Sequence, residues 1–312
     1  MNEFDLISRL AAQLKSPLQP GVVGIGDDAA AIPQKDGFLL LTCDIAVEGR
    51  HFRRGVNPLA DVGWKAAAAS VSDIAACGGT PDFALISLGV PEAVPVEEYE
   101  ELYRGISEAA EKFGFQVVGG NVSGSEQLLV DCFMVGSAKR FVSRAGARPG
   151  DTVALCGTTG DSEAGRRLLE QSARSEGEEI LVRRHLRPDV GLELVEFLQE
   201  HATAAIDVSD SLAAELHHLS ERSGVRIEVD GASVPVSPEL RAFAAARGER
   251  PDEFTLYGGE DYRLLFTVPA DRLAGLDRVE VVAIGKVSEG SGVFFSGTPL
   301  ANRGWDHLRK SQ

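Results

Sequence analysis

Apolar residues recur every three or four positions at the start of the chain, which predicts an amphipathic helix that ends before Pro17. The positions that form this pattern are Phe4, Leu6, Ile7, Leu10 and Leu14. Apolar runs at 28–33 and 38–46 then predict two strands. A longer helix is expected from Pro58 to Cys77, because Asn57 is suited to cap its first turn and Gly78 to end its last.

The rest of the chain mixes both periodicities and predicts a two-domain α/β protein with mixed sheets, in which the C-terminal domain is α+β. Further strands are expected at 83–88, 115–118, 128–138, 152–156, 204–208, 225–229, 262–268, 279–287 and 292–295. Further helices are expected at 96–113, from 162, at 177–185, at 189–200 and at 211–223. The basic, Gly- and Pro-containing stretch 139–150 interrupts the pattern and predicts domains at 1–139 and 148–312.

Composition narrows the classes of partner. A net charge of -16 over 312 residues argues against nucleic acid, because a phosphate backbone is bound by basic surfaces. Dispersed cysteines predict reduced, mostly buried thiols, and the four are Cys43, Cys77, Cys132 and Cys156. The acidic N-terminus is unlike a signal peptide, and no apolar run reaches membrane length. A cytoplasmic protein with no membrane partner is therefore expected.

Three acidic clusters fall at predicted element ends between Gly24 and Pro81, and they contain Asp27-Asp28, Asp44 and Asp73. Each cluster alone would more often be a solvated turn. Two carboxylates held about 4 Å apart repel by about 4 kcal/mol at an effective dielectric of 20. Apolar segments beside all three clusters should hold them against a core, so bound cations are needed to offset the repulsion. The pattern predicts a metal site.

Other motifs are ambiguous one by one. Residues 24–29 fit the spacing G-x-G-x-x-A, but two aspartates stand where a pyrophosphate would bind. No P-loop signature occurs. The glycine-rich segment 119–124 suits either a phosphate loop or a plain hairpin. In segment 206–210, helix capping would explain Ser209 or Asp210 but not Asp207 as well.

Together, these segments resemble the thiamine-monophosphate kinases, within the superfamily of aminoimidazole ribonucleotide synthetase-like ATP-binding enzymes. The matching segments run in order over nearly the whole chain: 24–30, 44 with 48–52, 63–66, 72–76, 78–81, 206–210, 258–262 and 304–307. Each segment is a modest signal by itself, whereas the ordered set is specific.

The resemblance implies an aminoimidazole ribonucleotide synthetase-like fold that forms a homodimer through its N-terminal sheets, with ATP and several Mg²⁺ ions between the domains. It implies metal roles for Asp28, Thr42, Cys43, Asp44, Asp73, Asn121, Asp207 and Asp210. It implies ATP-binding roles for Tyr103, Gly120, Asn121, Arg144 and Ser209, and substrate-binding roles for His51, Glu260 and Trp305. Two positions depart from the family pattern, since Asn121 replaces an aspartate and Cys43 a hydroxyl residue.

The activity implied is Mg²⁺-dependent transfer of the γ-phosphoryl group of ATP to thiamine monophosphate, giving thiamine diphosphate and ADP without a covalent enzyme intermediate. Two alternatives stay open. One is another ATP-dependent synthetase or ligase of the superfamily, because segment 119–123 is also similar to formylglycinamidine ribonucleotide synthetase. The other is a non-catalytic nucleotide-binding paralogue that lost turnover through Asn121.

Overall fold

The computed structural model describes residues 3–171, 173–273 and 280–304, and it forms two mixed sheets with helices packed against them. The helices are α1 Glu3–Ala11, α2 Leu59–Ala76, α3 Val96–Phe113, α4 Asp161–Leu168, α5 Glu176–Leu186, α6 Val195–His201, α7 Leu212–Ser223, α8 Pro238–Arg247 and α9 Pro251–Tyr257. The strands are β1 Ala30–Gln34, β2 Gly37–Val47, β3 Thr80–Val90, β4 Gln116–Gly124, β5 Leu129–Ala138, β6 Asp151–Cys156, β7 Ala204–Val208, β8 Arg226–Val229, β9 Arg263–Pro269, β10 Val281–Ser288, β11 Gly292–Phe295 and β12 Thr298–Pro299.

The N-terminal sheet has five strands in the order β1-β2-β5-β3-β4, and β3 and β4 run parallel. Helices α2 and α3 pack against each other very closely. A Cβ added at Gly63 of α2 would lie 2.0 Å from the carbonyl oxygen of Leu102, and one at Gly105 of α3 would lie 1.6 Å from that of Ala60. Glycine at these two positions therefore allows the helices to touch backbone to backbone.

Helix α2 joins the two halves of the chain. It contacts β2, β3 and β5 of the first sheet, and also β7 and β9 of the second. The second sheet has seven strands in the order β12-β11-β8-β10-β6-β9-β7. One apolar core runs from Leu40 and Met134 through Ile74 to Leu264 and Phe266, all of them fully or almost fully buried. The C-terminal end of α2 is therefore held between both sheets, where polar groups are shielded from water.

Most predicted elements are present, but several differ in extent. The first helix ends at Ala11, before Pro17 as predicted, whereas the first strand starts at Ala30 and not at position 28. The predicted helix 189–200 is a short 3-10 turn, Leu192–Leu194, followed by α6. Helices α8 and α9 and strand β12 were not predicted. Position 279 of the predicted strand 279–287 lies outside the described residues.

Two local predictions, the cap of α2 and the loop at 119–124, were wrong because the groups concerned form other hydrogen bonds. Asn57 does not cap α2: its side-chain oxygen accepts a hydrogen bond from the Arg53 N–H at 2.9 Å. Segment 119–124 is not a loop but part of β4, where Gly120 pairs with Ile86. A Cβ at Gly120 would lie 1.8 Å from the Ile86 carbonyl oxygen, so glycine here permits strand pairing.

Within the described ranges, no helix combines the length and the apolar character needed to cross a bilayer.

Candidate active site

Three carboxylates from distant parts of the chain meet where α2 touches both sheets. Asp28 lies just before β1, Asp73 lies in the last turn of α2, and Asp207 lies in β7. Each offers an oxygen, and these atoms all lie within 4.8 Å of one another. We call Asp28, Asp73 and Asp207 the acidic cluster. All three are among the aspartates that the sequence patterns single out.

Hydroxyl groups orient these carboxylates. Thr42 Oγ1 donates to Asp73 Oδ2 at 2.5 Å, and Ser72 Oγ donates to Asp207 Oδ2 at 2.5 Å. On β2, Asp44 accepts a hydrogen bond from Ser70 Oγ at 3.0 Å. These bonds join β2, α2 and β7, so the positions of the carboxylates depend on both halves of the chain.

Arg144 brings a positive charge to one side of the cluster. Its Nε and Nη2 donate to the two carboxylate oxygens of Asp28 at 3.1 and 2.6 Å, which is a bidentate pair. Its backbone N–H and the Ser143 hydroxyl each donate to Asp27 at 2.7 Å. Asp27 and Asp28 therefore bind the segment that connects the two halves, and the side chain of Asp28 is only 1% exposed.

The charge balance of the cluster favours a cation. Burial raises the pKa of Asp73 well above its usual range, and the neighbouring charges of Asp44, Asp207 and Asp28 raise it further. Burial and Asp28 likewise raise the pKa of Asp207. Carboxylate and hydroxyl oxygens are hard ligands of the kind that Mg²⁺ prefers. The residues therefore fit a magnesium site, because a divalent ion would offset the repulsion that the buried carboxylates otherwise relieve by protonation.

Glu215 is a further buried carboxylate that the sequence patterns did not single out. It is 3% exposed, and its Oε1 accepts a hydrogen bond from the Asp210 N–H at 3.2 Å. Burial raises its pKa strongly, and the charges of Asp210 and Asp207 add to the effect. Glu215 therefore fixes the backbone of Asp210, and like the members of the cluster it is a buried carboxyl whose ionisation a nearby cation would favour. The cap of α7 is Ser211, not Ser209 or Asp210.

A second group lies on the loop before β9. Glu260 and Tyr262 both have positive φ, 63° and 52°, a backbone conformation that costs about 1–3 kcal/mol per non-glycine residue. Their N–H groups donate to the carbonyls of Ser209 at 2.6 Å and Val208 at 2.8 Å. The loop is therefore fixed to the segment that follows Asp207, with the Glu260 side chain 30% exposed.

A charged partner, Lys65, keeps the Glu260 carboxylate ionised. Although burial acts to raise its pKa, the charge and the hydrogen bond of the Lys65 ammonium lower it, so the net shift is downward. Lys65 Nζ lies 2.8 Å from Glu260 Oε2. His51 Nδ1 accepts the Val47 N–H at 3.0 Å. Of the three predicted substrate-binding residues, Glu260 is thus held by Lys65 and His51 by the Val47 N–H, while Trp305 lies outside the described residues.

Three predicted residues lie away from the acidic cluster within one protomer. Tyr103 on α3 and Gly120 and Asn121 on β4 form what we call the edge group. Asn121 pairs with Ser87, Ser87 with Asp131, and Asp131 with Ile45 of β2. Three strand spacings, about 14 Å, therefore separate Asn121 from β2. Tyr103 borders a surface cavity of 480 Å³ between α3 and β4.

Cys43 also faces away from the cluster. Successive side chains of a strand point to opposite faces, so Cys43 lies opposite Thr42 and Asp44, and it is exposed. Partial desolvation of its thiol raises its pKa, and the charge of Asp131 on the neighbouring strand adds to that effect. The side chains of Cys43 and Asn121 are thus both on the face of the N-terminal sheet that is turned away from α2.

Residues 26–138 match the AIR synthase related protein, N-terminal domain, and residues 148–297 match the AIR synthase related protein, C-terminal domain. A thiamine-monophosphate kinase of Aquifex aeolicus is 43% identical over 310 residues, covering 99% of this chain and 98% of that protein. The chain belongs to the thiamine-monophosphate kinase family. A thiamine-monophosphate kinase of Escherichia coli K12 is 32% identical over 323 residues, covering 98% of each chain.

Solved structures agree with this family. A structure described as AaThiL complexed with AMPPCP and TMP has a TM-score of 0.93 and 43% identity, covering 98% of this chain and 97% of that one. The hydrogenase maturation protein HypE of E. coli matches with a TM-score of 0.67 at 20% identity, covering 88% of this chain and 87% of that one, which shows a shared fold. Membership in the thiamine-monophosphate kinase family confirms the resemblance seen in the sequence and the predicted two-sheet α/β fold.

Proposed function

We propose that the chain is an ATP-dependent kinase that transfers the γ-phosphoryl group of ATP directly to the phosphate of thiamine monophosphate. The single observation that carries this proposal is the acidic cluster beside Arg144 in a member of the thiamine-monophosphate kinase family. The AaThiL structure was described with AMPPCP and TMP, which supports both substrates for this chain.

The accepting phosphate is itself a ready nucleophile, because a phosphate monoester is largely doubly ionised at neutral pH. A strong general base is therefore unnecessary, and the main obstacle is the repulsion between two anionic groups. Asp28, Asp73 and Asp207 would hold Mg²⁺, with Asp44, Asp210 and the Thr42 hydroxyl as further oxygen donors. When bound, the metal would neutralise phosphate charge and align the two substrates.

Other residues supply contacts that the metal does not. The Arg144 guanidinium forms a bidentate pair with Asp28, so it can lie next to an ATP phosphate while it keeps this carboxylate partner. Glu260 and His51 would contact thiamine monophosphate. The carboxylate suits a substrate that carries a cationic thiazolium ring. No side chain is required to carry the phosphoryl group.

We further propose that a second copy of the chain completes the site. Asn121 of the edge group lies about three strand spacings from β2, too far to share a metal ion with Asp44 of its own protomer. Exposed apolar side chains on the same sheet, Ile45, Phe83, Leu85, Val118 and Val122, support pairing of two N-terminal sheets. The division of each copy into domains 1–139 and 148–312 is likewise proposed.

Product analysis tests the proposed reaction. Purified protein given Mg²⁺, ATP and thiamine monophosphate should make thiamine diphosphate and ADP in equal amounts, with little free phosphate. Phosphate release without thiamine diphosphate would support a synthetase or ligase of the same superfamily. Tight ATP binding with no turnover would support a non-catalytic paralogue.

A further inference from the structure

Lys65 forms a polar network that the proposed reaction does not yet use. It lies on α2, two turns before Asp73, or about 12 Å along the helix axis. Its side chain is 13% exposed, which is low for a lysine, and its Nζ lies 2.8 Å from Glu260 Oε2. An ammonium group is placed this deeply only with a fixed anionic partner.

The donors and acceptors of the network have defined roles. Lys65 Nζ lies 3.4 Å from His185 Nδ1, and Ser162 Oγ lies 2.9 Å from the same nitrogen. Lysine can only donate, so His185 Nδ1 accepts and the imidazole carries its proton on Nε2. Burial lowers the pKa of His185 to about 3, which keeps the ring neutral. The ammonium is therefore held between a neutral acceptor and the Glu260 carboxylate.

The backbone around Glu260 is fixed separately. Asp261 accepts the N–H groups of Gly160 at 2.6 Å and Ser162 at 3.0 Å, and the Glu260 N–H binds the Ser209 carbonyl. These bonds set the course of the loop, whereas the direction of the Glu260 side chain depends on Lys65. With 30% of that side chain exposed, a substrate can reach the carboxylate.

We propose that Lys65 is a positioning residue for thiamine monophosphate, which holds the Glu260 carboxylate toward the substrate. This inference rests on the proposed function, because Glu260 is a substrate-binding residue only if thiamine monophosphate is the substrate. Lys65 acts through Glu260 and not on ATP, which binds elsewhere in the proposed site. Loss of Lys65 should therefore weaken the binding of thiamine monophosphate and leave the binding of ATP unaffected.

Steady-state kinetics of Lys65→Met, Lys65→Arg, Glu260→Gln and the double variant Lys65→Met/Glu260→Gln test this role. Lys65→Met should raise the KM for thiamine monophosphate roughly tenfold, since a charge-assisted contact is lost, with the KM for ATP unchanged within about twofold. Lys65→Arg should restore most of the loss. The double variant should be no worse than Glu260→Gln, because the two residues act as one unit.

Arg187→Met is the matched control for a purely structural role. Arg187 also ties the second half of the chain to the first, through Asp61 of α2 and through Glu108 of α3 at 2.5 Å, and its guanidinium lies 5.1 Å from the Trp64 ring centre. This variant should lower the melting temperature without changing either KM. An unchanged KM for thiamine monophosphate in Lys65→Met, or fully additive losses in the double variant, would overturn the role of Lys65. Wild-type protein that makes no thiamine diphosphate would overturn the proposed function as well.

Discussion

Ser72 on α2 donates a hydrogen bond to Asp207 on β7, with 2.5 Å between Oγ and Oδ2, and both side chains are buried. This bond crosses from the first half of the chain to the second inside the acidic cluster. The relative position of the two halves and the geometry of the proposed metal site are therefore set by the same contact.

Ser72→Ala should raise the Mg²⁺ concentration needed for half-maximal activity by roughly tenfold, in line with the loss of an orienting contact to a metal ligand. Burial raises the pKa of Asp207 and the Ser72 hydrogen bond opposes that rise, so without it a proton competes better with the metal. Ser220→Ala is the control: Ser220 is also buried and donates to the Val225 carbonyl at 2.6 Å, away from the cluster. Equal Mg²⁺ titrations for the two variants would contradict the role of Ser72.

Asp73→Asn should reduce kcat by roughly 10²-fold while leaving the fold intact, and Asp44→Asn should behave similarly. In protein treated with a chelator, the melting temperature should be unchanged or higher. Because burial and neighbouring charges raise the folded-state pKa of Asp73, the native state holds more protons than the unfolded state above about pH 4. Wild-type stability without metal should therefore fall as pH rises, and Asp73→Asn should reduce that fall. Wild-type turnover in Asp73→Asn would mean that the metal assignment is wrong.

His185→Gln should make the protein less sensitive to acid. Burial lowers the folded-state pKa of His185 to about 3, below the value near 6.5 of an unfolded chain. The unfolded state then binds more protons between these values, so stability falls by about 1.4 kcal/mol per pH unit below 6.5. Burial also lowers the pKa of His218, but only to about 4. His218→Gln should therefore reduce the loss of stability in acid over a narrower pH range. Urea unfolding at several pH values measures both slopes, and wild-type slopes in both variants would refute the prediction.

Subunit mixing tests whether the edge group serves the partner's acidic cluster. Asp73→Asn and Asn121→Lys should each be nearly inactive, the second because it places a cation at a predicted metal ligand. In a randomly mixed two-fold dimer population, about a quarter of the sites would be intact, so the mixture should recover about a quarter of wild-type activity. If both variants are inactive and the mixture stays inactive, the two groups act within one protomer or the protein does not form dimers. Full activity in Asn121→Lys alone would remove Asn121 from the site.

The acidic cluster could be predicted because its aspartates stand beside apolar strands or at a helix end, where a surface carboxylate has little reason to occur. Glu215 could not, since an acidic residue in a short amphipathic helix looks like part of a solvated face, and only the packing of α7 shows it to be buried. The distance between the edge group and the acidic cluster of the same protomer could not be predicted from the sequence either. It depends on the strand order β2-β5-β3-β4, which local sequence does not determine.

Helix α8 was missed although its signals are present, since Ser237 caps it, Pro238 opens it and Gly248 ends it in a left-handed conformation. Strand β4 was predicted too short because glycines usually weaken strands. Here Gly120 is needed for close approach of β3, a tertiary requirement that overrides local preference.

The central claim is that the phosphoryl group passes directly from ATP to thiamine monophosphate in a site built on the acidic cluster. A single turnover with γ-labelled ATP, Mg²⁺, thiamine monophosphate and enzyme in excess over ATP tests it most directly. The account predicts that the label appears in thiamine diphosphate at the rate at which it leaves ATP, with none on the protein and little in free phosphate, and that Asp73→Asn slows both together. Label that accumulates on the protein, or that is released as phosphate while thiamine monophosphate remains unchanged, would contradict it.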